Sequence, residues 1–107
     1  MPTLALLAFA ILFEVTGTVM LRLSDGMSKL WPAVAVVVFY CASFYLLALV
    51  LREVEIGFAY AVWAGVGTAV VAVVGVLAWG EPVNALKVAS IMAVIAGVIG
   101  LNLAGAH

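Results

Sequence analysis

Apolar residues run through this chain in four long stretches, separated by three short polar intervals. The first reaches from about Thr3 to Leu23, the second from Pro32 to Leu51, the third from about Gly57 to Trp79 and the fourth from about Ala85 to Leu103. Each is close to the roughly 20 residues that an α-helix needs to cross a hydrocarbon core of about 30 Å. The runs are continuous rather than alternating over about ten positions, which predicts helices and not barrel strands. The polar intervals carry matching stop and start signals. Ser24-Asp25-Gly26 can close the first helix, and Pro32 suits a first helical turn. Arg52-Glu53-Val54-Glu55 parts the second span from the third, Gly80-Glu81-Pro82 ends the third, and Asn84 is read as the N-cap of the fourth. Loops this short make consecutive helices antiparallel neighbours. The expected architecture is an all-α membrane protein, a single four-helix transmembrane domain over residues 1–107.

Composition agrees. Of the 107 residues 69% are apolar and 8% charged, with a mean hydropathy of +1.42. A soluble domain carries about 25% charged residues, so this chain has too few to cover itself in water and lipid must be its solvent. Four basic against five acidic residues form no basic patch for nucleic acid and no polybasic lipid anchor. Cys41 stands alone in an apolar run, which excludes an intrachain disulfide or a thiolate metal site, and it is read as a small hydrophobe. The N-terminus lacks a basic n-region and Glu14 interrupts the first apolar stretch, so that stretch is expected to remain as a span rather than be cleaved as a signal peptide.

Every charge but one falls in a loop or within about a turn of a span end. Arg22 and Lys87 lie close enough to the ends to snorkel into headgroups, and Trp31 and Trp79 sit where an aromatic belt is expected. The first and third loops hold Arg22, Lys29 and Lys87, while the opposite side has Arg52 and the terminal amine. So small a difference codes orientation weakly, and insertion in both directions is compatible with it.

Glu14 is the exception. It lies about twelve residues into the first span, near the bilayer midplane. An acidic side chain there costs about 2.5 to 3.5 kcal/mol on insertion scales. A single interhelical hydrogen bond returns only about 0.6 kcal/mol, so packing alone does not account for it. Desolvation favours the neutral acid over the carboxylate. Such a group can hold a proton or attract a cation, but not both well, and that exclusion is the physical basis of proton-coupled exchange. On its helical face lie Ala10, Ile11, Gly17 and Thr18. The small residues let another helix come close, and the Thr18 hydroxyl can orient a carboxylate; ordinary small-residue packing explains Ala10 and Gly17 about as well.

Aromatic residues recur at helical spacing in the next two spans. Tyr40, Ser43 and Phe44 share a face of the second, and Tyr60, Trp63 and Gly67 share a face of the third, with Ala64 beside them. Aromatic faces attract organic cations by about 0.5 to 2 kcal/mol each, although in a membrane helix such a stripe is commonly packing. Joined to an anionic Glu14, the rings would form a site for a hydrophobic cation. Gly65-Val66-Gly67 within the third span permits either a hinge or close helix contact.

With these residues in view, the chain resembles the small multidrug resistance family of bacterial proton-coupled transporters along essentially its whole length. The resemblance rests on Phe13-Glu14-Val15 with Thr18, Gly26 with Leu30-Trp31-Pro32, and Tyr40-Cys41-Ala42-Ser43-Phe44. It continues through Gly57-Phe58-Ala59-Tyr60-Ala61-Val62-Trp63-Ala64-Gly65-Val66-Gly67 and Gly97-Val98 with Asn102. It implies an antiparallel homodimer of dual-topology protomers in the bacterial inner membrane, with two Glu14 carboxylates sharing one site for protons or a cationic substrate. It further implies substrate-lining roles for Tyr40, Tyr60 and Trp63, with Ser43 and Phe44 near them, and a hinge at Gly65 and Gly67. No cofactor is expected beyond the coupling proton, and no metal. The family's guanidinium-exporting branch typically has Trp three residues after the Glu and often a late Lys in the fourth helix. Gly17 and Asn102 stand there, so the resemblance is to the quaternary-ammonium and multidrug branch. Ala64 departs from the Ser or Thr usual at its position, which puts the third-helix hydrogen-bond network near the carboxylates in doubt.

The fourth span carries no embedded acid or aromatic residue. Ser90, Ala93, Gly97, Gly100 and Ala104 recur in it at spacings of 3, 4, 3 and 4, a small-residue seam suited to close helix packing. The seam is expected to form the dimer contact, with packing inside one protomer as the alternative. The leading functional expectation is therefore a proton-coupled antiporter exporting lipophilic and quaternary-ammonium cations. Competing readings are a guanidinium-type exporter of the same family, or a non-transporting small pore or assembly subunit. An intramembrane enzyme lacks a nucleophile and base pair, His107 being the terminal residue.

Overall fold

In the computed structural model, which describes residues 2–105, four helices follow one another: α1 (Thr3–Leu23), α2 (Leu30–Val50), α3 (Ile56–Trp79) and α4 (Ala85–Leu103). All four are long and apolar enough to cross a membrane. His107 lies outside the described residues. α2 begins at Leu30, which puts Pro32 third in the helix rather than first. The position is still harmless, because the first four N–H groups of a helix have no intrahelical acceptor.

The chain divides into two compact units, one ending at Glu53 and the other beginning at Val54. The first is the α1–α2 hairpin. Its core is Leu7, Ala10, Ile11 and Val15 of α1 against Val36, Ser43 and Val50 of α2, with the rings of Phe13 and Phe39 stacked at 6.0 Å. Its turn is organised by Ser24, which is fully buried. The Ser24 hydroxyl donates to the Leu21 carbonyl at 2.6 Å and accepts from the Met27 amide at 3.0 Å. Its carbonyl accepts the amides of Ser28 and Lys29. These bonds hold Asp25, Gly26 and Met27 in the left-handed region, a conformation that costs a residue with a Cβ about 1 kcal/mol or more.

The second unit is the α3–α4 hairpin. α3 ends on left-handed Gly80 (φ 64°), after which the Glu81 amide returns to the Gly75 carbonyl, a closure that suits glycine because it lacks a Cβ. The Glu81 side chain folds back over Gly75 so closely that a Cβ there would collide with its carboxylate. Asn84 caps α4 by accepting the Lys87 amide at 2.8 Å. α3 and α4 meet at Gly65, where a Cβ would lie 2.8 Å from Val98 Cγ2 and 3.0 Å from Val94 Cγ1. Beside this contact an open apolar groove of about 560 Å³ is lined by Ala61, Ala64, Thr68, Gly97 and Leu101 among others.

Candidate intramembrane carboxyl site

Glu14 occupies the middle of α1 and is half-buried against α2. One helical turn on, the Thr18 hydroxyl lies 3.1 Å from Glu14 Oε1 and 3.0 Å from the Glu14 carbonyl oxygen. The same hydroxyl is 2.8 Å from the Tyr40 hydroxyl of α2. Three polar groups therefore form a chain, from Tyr40 through Thr18 to the carboxyl. A hydroxyl carries one proton and two acceptor lone pairs, so the chain can be oriented either way. Towards a carboxylate, Tyr40 donates to Thr18 and Thr18 donates to Glu14. Against a protonated Glu14, Thr18 can accept from the acid and donate onward to Tyr40.

Gly17 makes this arrangement sterically feasible. A Cβ at that position would sit 2.6 Å from both Cδ1 and Cε1 of Tyr40, so the phenol ring lies directly on the α1 backbone. One turn along α2, Ser43 is fully buried and its hydroxyl donates to the Ala10 carbonyl at 2.7 Å. Ser43 thus binds the α1 backbone rather than the carboxyl.

The remaining candidates are distributed as follows. Phe44, expected on the face of Tyr40 and Ser43, is 59% exposed, whereas those two turn towards α1. In the α3–α4 hairpin Tyr60 is 68% exposed, Trp63 half-buried, and Gly65 and Gly67 buried. α3 is helical without interruption through Gly65-Val66-Gly67, and Gly65 is the seat of two α4 valines. Ala64 and Thr68, one turn apart, line the groove. Ser90, Ala93, Gly97 and Gly100 are all exposed, and beyond the adjoining α4 backbone no atom lies within 4 Å of a Cβ built on either glycine.

Two details had no counterpart in the sequence reading: the seating of the Tyr40 ring on Gly17 and the Ser43 bond to a main-chain carbonyl. A small residue three positions after an intramembrane acid was the available signal for the first. No pattern signals the second, because every residue offers a carbonyl.

Four apolar helices with one acid set mid-span and tied to hydroxyls define a small polytopic membrane protein with an ionisable intramembrane site. Residues 3–95 match the family model described as Small Multidrug Resistance protein. The chain is 47% identical over 97 residues to the uncharacterized membrane protein YvaE of Bacillus subtilis, covering 91% of this chain and 82% of that one. It is 43% identical to the multidrug resistance protein EbrB of the same organism, over 100% of this chain and 92% of EbrB. It is 40% identical to the multidrug transporter EmrE of Escherichia coli, over 88% of this chain and 86% of EmrE. The chain belongs to the Small Multidrug Resistance family and is a multi-pass protein of the bacterial inner membrane.

Proposed function

We propose that this protein is a proton-coupled antiporter that exports lipophilic and quaternary-ammonium cations, working as an antiparallel homodimer of dual-topology protomers. That it is a multidrug exporter rather than an enzyme follows from its family and from relatives named as multidrug transporters. The finer reading is carried by the mid-span Glu14, whose carboxyl meets the Thr18 hydroxyl and through it the Tyr40 hydroxyl of α2. A carboxyl that binds a proton has no charge left for a cation, and one paired with a cation resists protonation. Entering protons displace the cation on the outer side, and on the inner side the cation displaces the protons. Mutual exclusion at one site couples the two fluxes.

The other candidates take roles around that exchange. Tyr40, Tyr60, Trp63 and Phe44 offer ring faces to a hydrophobic cation, and Thr18 orients the carboxyl. Gly65 and Gly67 give α3 the freedom to alternate between conformations. Ser90, Ala93, Gly97 and Gly100 form the seam for the second copy, which brings the second Glu14. The weak charge bias between the two sides suits insertion in both directions.

The test is cation flux in proteoliposomes bearing a pH gradient. An antiporter accumulates a lipophilic or quaternary-ammonium cation, such as tetraphenylphosphonium or tetraethylammonium, only while the gradient lasts, and substrate addition at zero gradient releases protons. Glu14→Gln is expected to abolish both while leaving insertion intact. Gradient-independent flux by the native protein, or active export by Glu14→Gln, would refute the mechanism.

A further inference from the structure

Ser43 is fully buried in the α1–α2 hairpin, and so is Ala10, whose carbonyl accepts its hydroxyl at 2.7 Å. In an α-helix the carbonyl of residue 10 also accepts the amide of residue 14. Ser43 and the backbone of Glu14 therefore share one acceptor, using its two lone pairs. Tyr40 lies three residues before Ser43 on the same side of α2, and its hydroxyl reaches Thr18 at 2.8 Å. Two side chains of α2 thus grip α1 on either side of the carboxyl, one through the main chain before it and one through Thr18 after it.

Such a grip matters more in lipid than in water. Helices in a bilayer have no hydrophobic force to set their rotation, since lipid tails are as apolar as the neighbouring helix. A directional hydrogen bond is what can choose one rotation over the next. A polar atom about 5 to 6 Å from a helix axis moves by about 1 Å for a rotation of roughly 10°. Where it is directed along the bond, that displacement takes the Tyr40–Thr18 contact from 2.8 Å out of hydrogen-bond range.

We infer that Ser43 is a positioning residue that sets the rotation and height of α2 on α1, so that the Tyr40 hydroxyl meets Thr18 and through it Glu14, and that Ser43 does not itself contact the transported cation. Its single proton is committed to Ala10, and none of its surface is open to a ligand. The expected effect on binding rests on the antiporter reading above; the geometric statement does not.

The experiment is a double-mutant cycle on the full-length protein, with tetraphenylphosphonium as probe. This cation has no hydrogen-bonding group, so loss of a directly contacting hydroxyl would leave its affinity unchanged. Ser43→Ala is expected to weaken its binding roughly three- to sixteenfold, the range an interhelical hydrogen bond supports in membranes. Tyr40→Phe removes the group that Ser43 positions, so adding Ser43→Ala to it should cost nothing further. Ser43→Cys, which keeps a weak donor, should restore part of the affinity. Additive losses in the double variant, or native affinity in Ser43→Ala, would overturn the inference. Isotope-edited infrared spectroscopy of a labelled Ala10 carbonyl supplies a readout free of transport and of the variant's binding competence. Its band in the native protein should lie below that of a singly bonded helix carbonyl at Leu6, and should rise in Ser43→Ala or, less, in Ser43→Cys. If the native protein fails to bind tetraphenylphosphonium, the antiporter reading falls and this band decides the geometry: a native Ala10 band level with Leu6 refutes it.

Discussion

Substituting Gly17 by alanine tests the site with one methyl group. The added Cβ would lie 2.6 Å from Tyr40 Cδ1 and Cε1, about 0.8 Å inside the 3.4 Å at which ordinary contact begins. Those atoms belong to the body of the ring, so no terminal rotation relieves the overlap and the phenol must move as a whole. A shift of about 0.8 Å directed away from α1 would stretch the 2.8 Å bond between the Tyr40 and Thr18 hydroxyls to the edge of hydrogen bonding. The lost interhelical bond weakens the site by about 0.6 to 1.7 kcal/mol, which corresponds to a roughly three- to sixteenfold fall in cation affinity at about 1.4 kcal/mol per decade. Overpacking adds a folding cost of about 1 to 3 kcal/mol, and alanine's helix preference over glycine returns about 1 kcal/mol of it. Fold stability should therefore change by less than the larger estimate, while binding falls measurably. Calorimetric titration of tetraphenylphosphonium against Gly17→Ala measures the affinity, and the Tyr40 ring resonances in a labelled sample measure the displacement. Pairing Gly17→Ala with Tyr40→Leu removes the overlap, so the two changes should be strongly non-additive. Native affinity together with unshifted Tyr40 resonances in Gly17→Ala would refute the reasoning.

Two further glycines make contrasting predictions. Beyond the adjoining α4 backbone, Gly97→Leu meets no atom within 4 Å of its Cβ in one protomer, so hairpin stability should hold while cross-linking between copies falls sharply; unchanged dimer yield would remove α4 from the interface. Gly65→Ala must displace the Val98 and Val94 methyl groups at 2.8 and 3.0 Å, an overpacking worth about 1 to 3 kcal/mol. It should lower the thermal midpoint of the protein, and Val98→Ala should restore most of it; full stability in Gly65→Ala alone would count against the close α3–α4 packing.

The spans and the unusual acid were legible in the chain itself. Whether a stretch of some 20 residues partitions into lipid depends on its summed apolar content, a local quantity, and the Thr18 hydroxyl falls beside Glu14 simply because they are four apart on one helix. The turn signals were local as well: Asn84 caps α4 through the Lys87 amide, and left-handed Gly80 closes α3.

Only the tertiary structure decided which side of α2 meets α1. A helix apolar all round has no polar face to mark its outside, so the sequence leaves its rotation open, and Tyr40, Ser43 and Phe44 could share a fate on spacing alone. In the hairpin Tyr40 and Ser43 turn inward to Thr18 and Ala10 while Phe44 is exposed. The selection comes from contacts that exist only once two helices are together: a ring fitted onto the bare backbone of Gly17 and a hydroxyl bonded to a carbonyl 33 residues away. The chain alone thus determined that an acid with a hydroxyl one turn away would be held within the membrane, and the packing of its first two helices determined that Tyr40 of α2 would be joined to that hydroxyl.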